Sequence, residues 1–349
     1  MGNQYFKDRD RKNLNIMHMY TPKLPPICKE YFDDVSLAKA PSTMANYART
    51  LLVFFTFMTS TYIEGKASNE LNLDDITGIT TRQITSFLND LKNDGDSEDT
   101  LKNYMNILSA FYKYLINRGL SEINPVAAIP RPKKKKKPRI YLDKADYERF
   151  ENTVSSGFGL TKHELQYRDA IGTADRDYLI LSILSDTGIR VSELVGLDVE
   201  NIDQKRHRFT VQRKGGNVDN VYYSDATGAF LSDYLISREH IADPEEKALL
   251  LSFTGKSKGT RLSVRAIEIL IKKYALAAGI SNSEKMTPHK LRHTCAMTLL
   301  RATGNLALVK KQLGHSSITS TTIYAESEDA DLQAIRNIKP GSSENLQNL

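Results

Sequence analysis

Tryptophan is absent from the 349 residues, and cysteine nearly so, with Cys28 and Cys295 the only two. Thiols so few and so far apart exclude a disulfide framework and a cysteine-rich metal site, and they suit a reducing compartment. Long apolar runs are missing as well. The longest, Leu51–Met58, falls far short of the ~20 residues that a membrane span needs, and no apolar signal core stands at the N-terminus. The expected setting is cytoplasmic, without a membrane partner. A phosphate-binding loop is lacking too: the string GKS at 255–257 ends like one, but Leu250 stands where its first glycine belongs.

What is present is basic charge, unevenly placed. Lysine and arginine outnumber aspartate and glutamate by 48 to 42, and Arg131–Arg139 (RPKKKKKPR) holds seven basic residues in nine. The stretch after Tyr324 is acidic through Glu326, Glu328, Asp329 and Asp331. Local positive charge favours a polyanionic partner, of which nucleic acid is the commonest. The length predicts two domains, each able to bury its own core.

Residues 1–33 read as a basic, poorly ordered arm, with Lys7, Arg9, Arg11 and Lys12 ahead of prolines at 22, 25 and 26. Behind Ser42, taken as an N-cap, Tyr47, Leu51, Phe54, Phe55 and Met58 recur at helical spacing. Thr80–Gln83 fits a capping box ahead of Ile84, Phe87, Leu88 and Leu91. Ser97 caps a long helix with Leu101, Tyr104, Leu108, Phe111 and Leu115 on one face, closed at Gly119. Residues 34–120 are thus expected as a compact helical domain whose polar faces offer Arg49, Lys102 and Lys113 to a DNA backbone, or simply to solvent. Four prolines and the run Lys133, Lys134, Lys135, Lys136 and Lys137 make residues 121–140 an extended basic linker.

Residues 141–325 form the second expected domain, and residues 326–349 a tail. Helices are predicted from Leu142 to Val154 and from Asp175 to a stop at Gly188. In GIRVSELVGL, Glu193 follows Arg190 by three residues, close enough for the carboxylate to orient a neighbouring basic group. Period-two alternation over Arg206–Arg213 and Val218–Tyr223 predicts a β-hairpin with Lys214 at its glycine-rich tip. Further helices are predicted over Phe230–Ile236 and Ser263–Ala278.

The densest chemistry lies in Thr287–Tyr324. Thr287 as N-cap and Pro288 at the first helical position start a helix that runs to Gly304. His289, Arg292, His293 and Ala296 share one face of it. A second helix, Asn305 to Leu313, stops at Gly314 with His315 just beyond, and Tyr324 follows nine residues later. Taken alone, this run admits two other readings. One is a zinc site, although Lys290 replaces the glutamate of H-E-x-x-H. The other is a partly exposed polar helix beside a core tyrosine.

DTGIRVSELVGL, the RKGG hairpin, HKLRH, LGH and TTIYA occur in that order. Over residues 42–325 the chain resembles the tyrosine recombinase (phage integrase) family, and most of all its Xer-type branch. The resemblance implies a mainly α, two-domain DNA clamp: a helical core-binding, SAM-like domain and a mostly helical catalytic domain with a small antiparallel β-sheet. It also implies site-specific strand exchange on double-stranded DNA, through a covalent 3′-phosphotyrosyl intermediate and a Holliday junction, within a tetrameric synapse. Tyr324 matches the nucleophile, and Arg190 and Arg292 match the phosphate-clamping arginines. Lys214 matches the hairpin lysine, and His289 and His315 the two catalytic histidine positions. Glu193 and His293 match supporting positions.

Such chemistry explains the residue types. A phosphodiester is already an anion and gains charge on its equatorial oxygens in the transition state, so preorganised cations carry most of the catalysis. Guanidiniums offer bidentate forks that stay protonated at any working pH. A tyrosine of pKa ~10 needs a base, the role given to His289, and the leaving 5′-oxygen needs an acid, the role given to Lys214. His315 donates a hydrogen bond to the phosphate. The phosphotyrosyl ester conserves the energy of the broken bond, so no nucleotide, metal or other cofactor is expected. The tasks open to such an enzyme are chromosome or plasmid dimer resolution and mobile-element integration or excision. An architectural DNA-binding protein without catalysis and a type IB topoisomerase are the alternatives. In the tail, Leu332 and Ile335 form one apolar turn suited to docking on a neighbouring protomer, the alternative being a disordered end.

Overall fold

Two helices stand where an irregular arm is expected. The computed structural model describes residues 3–132, 142–213 and 215–314, divided between two units, residues 1–138 and 139–349. In the first, Gln4–Tyr20 forms α1 and Pro26–Val35 forms α2. Helix α3 (Pro41–Thr61) receives α1 along its length. Phe6 and Met17 of α1 are buried, and α2 adds Cys28, Tyr31 and Phe32 to the core. The apolar residues of α1 are sparse among charges, so no periodicity announces it; α3 supplies the surface that makes it a helix. Of the prolines counted with the irregular arm, Pro26 takes the first position of α2. Pro41 does the same for α3, so Ser42 is the second residue of that helix and not its cap.

Helices α4 (Leu73–Thr77), α5 (Thr81–Asn93) and α6 (Glu98–Asn117) complete the unit. The capping box forms as predicted, Gln83 N–H donating to Thr80 Oγ1 and Thr80 N–H to Gln83 Oε1. Ser97 caps α6 by accepting from Thr100 N–H at 3.2 Å. The core is aromatic. Phe54 meets Phe87 edge-on with centroids 5.3 Å apart, and Phe55 meets Phe111 at 5.9 Å. Residues 121–132, expected to begin a free linker, fold back: Val126 and Ile129 enter the same core, and Thr81 donates its hydroxyl to the Pro125 carbonyl at 2.8 Å. Lys133–Lys137 lie outside the described residues.

The second unit opens with α7 (Lys144–Ser156), α8 (Lys162–Ile171) and α9 (Ala174–Thr187). A capping box of Thr161 and Glu164 marks α8 in the sequence, although no helix is predicted there. Helix α9 is central, burying Leu179, Ile180, Leu181, Ile183 and Leu184. The short α10 (Val191–Val195) precedes three antiparallel strands in the order β1 (Ile202–Asp203), β2 (Arg208–Gln212) and β3 (Val218–Tyr222). The predicted hairpin pairs Arg208 with Tyr222 and Gln212 with Val218. Helices α11 (Asp225–Glu239) and α12 (Val264–Ala277) follow, then α13 (Pro288–Thr303) and α14 (Leu306–Leu313). Among the described residues, α9 packs on α7, α11 and α13. None of the described helices is long and apolar enough to cross a membrane.

Phe111 touches Tyr31, Phe55 and Tyr112 and is fully buried. Its truncation in Phe111→Ala should cost about 3–5 kcal/mol, read from the urea unfolding transition of the first unit; a midpoint unchanged from the parent contradicts this account of the core.

Candidate active site

Gly188 is where three elements meet. It closes α9 with φ +62°, and a Cβ there would collide with Leu313 and crowd Cys295. Only glycine lets the ends of α9 and α14 approach this closely. The chain then turns through buried Ile189 and presents Arg190 at the N-cap position of α10.

Glu193, one turn into α10, grips Arg190 twice. Arg190 N–H donates to Glu193 Oε2 and Arg190 Nη1 to Oε1, both at 2.8 Å. The spacing expectation is met: the carboxylate orients the cation. Glu193 is only 3% exposed, whereas the Arg190 side chain remains 37% exposed, so the guanidinium is fixed from behind and open in front.

Arg292 is held differently. It is 2% exposed, and it donates from Nη1 to the Gly188 carbonyl at 2.5 Å and from Nη2 to the Leu313 carbonyl at 2.7 Å. The expected phosphate clamp is thus also a strut between α13 and the C-terminal ends of α9 and α14. Carbonyls at those ends lack helical partners and carry the negative pole of the dipole, which suits a cation.

His289 and His293 stand one turn apart on α13 with Nε2 atoms 3.1 Å apart. Two N–H groups cannot face each other at that distance, so one Nε2 donates and the other accepts. Burial, and then the charges of Arg292, Lys290 and Arg190, push the His289 pKa below its ordinary value. Three predicted site residues, Arg190, His289 and Arg292, therefore share one electrostatic field. Thr287 occupies the N-cap position of α13 as predicted, but its side chain makes no capping bond.

Lys214, His315 and Tyr324 lie outside the described residues. Arg213, next to Lys214, and Gly314, next to His315, are described, and these two touch. In the first unit, Arg49 on α3 and Lys113 on α6 are exposed, and Lys102 on α6 is half-buried.

Arg213 is the residue that sequence reasoning missed. It is 7% exposed and donates from Nη1 to Glu193 Oε2 at 2.9 Å. The signal was present: period two, carried one residue past the end of β2, places Arg213 on the same inward face as Phe209 and Val211, both buried. A charged residue on that face demands a buried partner.

Comparison with known proteins bears on this geometry. Residues 160–331 match the phage integrase family, and residues 28–119 match the phage integrase N-terminal SAM-like domain. The chain is 30% identical to the tyrosine recombinase XerC of Caldanaerobacter subterraneus subsp. tengcongensis, over 96% of this chain and 92% of that one. It is 26% identical to the tyrosine recombinase XerS of Streptococcus thermophilus, over 89% and 94%. Two solved structures share the fold. One is the Tn1549 transposon integrase in complex with circular intermediate DNA, at 19% identity and TM-score 0.66 over 90% of this chain and 99% of that one. The other is the XerH site-specific recombinase in a post-cleavage complex with palindromic difH substrate, at 20% identity and TM-score 0.65 over 90% and 83%.

A lowered pKa keeps His289 neutral to lower pH than an unperturbed imidazole. In an NMR titration its midpoint should fall below the ordinary ~6.5, and Lys290→Gln, which removes one of the depressing charges, should move it upward. A midpoint at or above the ordinary value contradicts the shared field.

Proposed function

The chain belongs to the phage integrase family of tyrosine recombinases and is a site-specific DNA recombinase, and from that premise we propose that Arg190, Lys214, His289, Arg292, His315 and Tyr324 form its catalytic centre. The observation that carries the proposal is the grouping of Arg190, Arg292 and His289, with Arg190 braced on buried Glu193 and open to an anion. Two guanidiniums beside a histidine held neutral suit a charged phosphodiester that is attacked by a weakly acidic phenol.

In this reading the Tyr324 oxygen attacks the scissile phosphorus and passes its proton to His289. The bond from phosphorus to the 5′-oxygen breaks as Lys214 protonates that oxygen, leaving a 3′-phosphotyrosyl ester and a 5′-hydroxyl. Arg190, Arg292 and His315 hold the nonbridging oxygens, and His293 supports His289 through their Nε2 contact. A 5′-hydroxyl from a second site reverses the step and exchanges the strand. Neither nucleotide nor metal enters this sequence.

Double-stranded DNA is the substrate. Residues 34–120 act as the core-binding region, with Arg49, Lys102 and Lys113 on phosphates, and Lys133–Lys137 neutralise further backbone phosphates. Four protomers assemble the synapse, and residues 326–349 dock on a neighbour through Leu332 and Ile335.

Incubation with a nicked recombination site should trap a covalent protein–DNA adduct that Tyr324→Phe cannot form, and two sites should exchange strands. Arg190→Ala should slow adduct formation about 10²–10³-fold. Adduct without exchange favours the topoisomerase alternative, and binding without adduct the architectural one. Deletion of residues 326–349 should impair synapsis while preserving single-site binding; undiminished recombination by the truncated chain refutes the docking role.

A further inference from the structure

Arg213 spends all three of its guanidinium nitrogens. Nη1 donates to Glu193 Oε2 at 2.9 Å, Nε to Asp219 Oδ2 at 3.1 Å and Nη2 to the Gln312 carbonyl at 3.0 Å. Each acceptor belongs to a different element: the first turn of α10, strand β3 and the last turn of α14. Asp219 lies on the hairpin that Arg213 itself closes, with Arg213 N–H donating to the Asn217 carbonyl at 2.7 Å.

Two of these acceptors lead directly to the phosphate-clamping arginines. The Glu193 oxygen that Arg213 holds also receives the Arg190 backbone N–H, and its other oxygen holds the Arg190 side chain. The Gln312 carbonyl precedes that of Leu313, which Arg292 holds. The last carbonyls of α14 are thereby fully assigned. Those of Lys310 and Lys311 accept from Gly314 N–H, that of Gln312 from Arg213, and that of Leu313 from Arg292. A chain of contacts runs from Arg190 through Glu193, Arg213 and the end of α14 to Arg292.

Gly314 seals the joint. It adopts φ +65°, and a Cβ there would fall 2.5 Å from Arg213 Nε and 2.6 Å from its Cζ. Gly304 closes α13 with nearly the same φ of +61° but has nothing within 4 Å of a Cβ. Two glycines that are alike in backbone conformation thus differ in what they lie against.

We propose that Arg213 is a positioning residue that sets the Arg190 and Arg292 guanidiniums relative to each other by tying the carboxylate behind one to the helix end beneath the other. It touches no reacting atom. An ammonium cannot replace it, because a point donor on a flexible stem does not span three acceptors arranged around a planar fork. The inference rests on the catalytic centre proposed above.

The test uses the full chain and two substrates. One is a nicked site with a normal scissile phosphate, and the other is the same site with a methylphosphonate there, which is neutral and makes less demand on guanidiniums. Arg213→Lys should cleave the phosphodiester about 100-fold more slowly, as for a displacement of about 1 Å in a catalytic group. Its deficit on the methylphosphonate should be about 10-fold smaller, with site binding retained. Gly314→Ala, which keeps every charge and presses on Arg213, should show the same pattern, and Gly304→Ala should not. The proposal is overturned if Arg213→Lys cleaves the phosphodiester at the parental rate, or if its deficit is equal on both substrates. Should Arg213→Lys fail to fold, the same two criteria applied to Gly314→Ala decide. If the parental chain forms no adduct with either substrate, the catalytic reading itself fails and this proposal falls with it.

Discussion

The carboxylate of Glu193 is the constraint on which the candidate site depends. An ionised acid this deeply buried persists only when each oxygen is paired, because removing either partner leaves a charge without water. Here Arg190 and Arg213 supply the pairing. The consequence runs both ways: the acid needs two guanidiniums, and they in turn are held in place by the acid. Helix α10 is only five residues long and too short to be stable alone, so its place follows from this arrangement and from the loops around it.

The two units are held by different means. Residues 4–132 rest on an aromatic core, with Phe54, Phe55, Phe87 and Phe111 interlocked. The second unit has an apolar core as well, but the ends of its helices are pinned by arginines that are buried or, for Arg261, half-buried. Arg168 takes the Val154 and Ser155 carbonyls at the end of α7. Arg261 takes those of Val195 and Leu197 at the end of α10, and Arg213 and Arg292 take those of α14. Each places a cation at the negative pole of a helix, where the dipole and the unpaired carbonyls both favour it. Arg190, in contrast, keeps 37% of its side chain exposed while Glu193 holds it from behind.

Arg292 is likewise not a free side chain: its bonds to the Gly188 and Leu313 carbonyls remove rotamer freedom. The neighbouring histidine feels the resulting field, and its lowered pKa is the electrostatic counterpart of the same packing.

Many local signals were legible where the determining contacts are a few residues apart, although the box at Thr161 and Glu164 that starts α8 was passed over. The box at Thr80 and Gln83, the hairpin around Lys214, the stops at Gly188 and Gly314 and the start of α13 at Pro288 all follow from residues within one turn of each other. So does the pairing of Arg190 with Glu193. Helix α1 was not legible, because its sparse Phe6 and Met17 acquire meaning only against α3. The return of Val126 and Ile129 to the core was hidden by the prolines around them. Arg213 was given no role of its own, although its inward register was already set by Phe209 and Val211. By itself the sequence determined the order of the motifs and those elements whose signals lie within a turn or a hairpin. Only the tertiary structure decided which of the chemistry-bearing side chains are spent on holding the others, because that depends on carbonyls and carboxylates as distant in sequence as Gly188, Glu193 and Gln312.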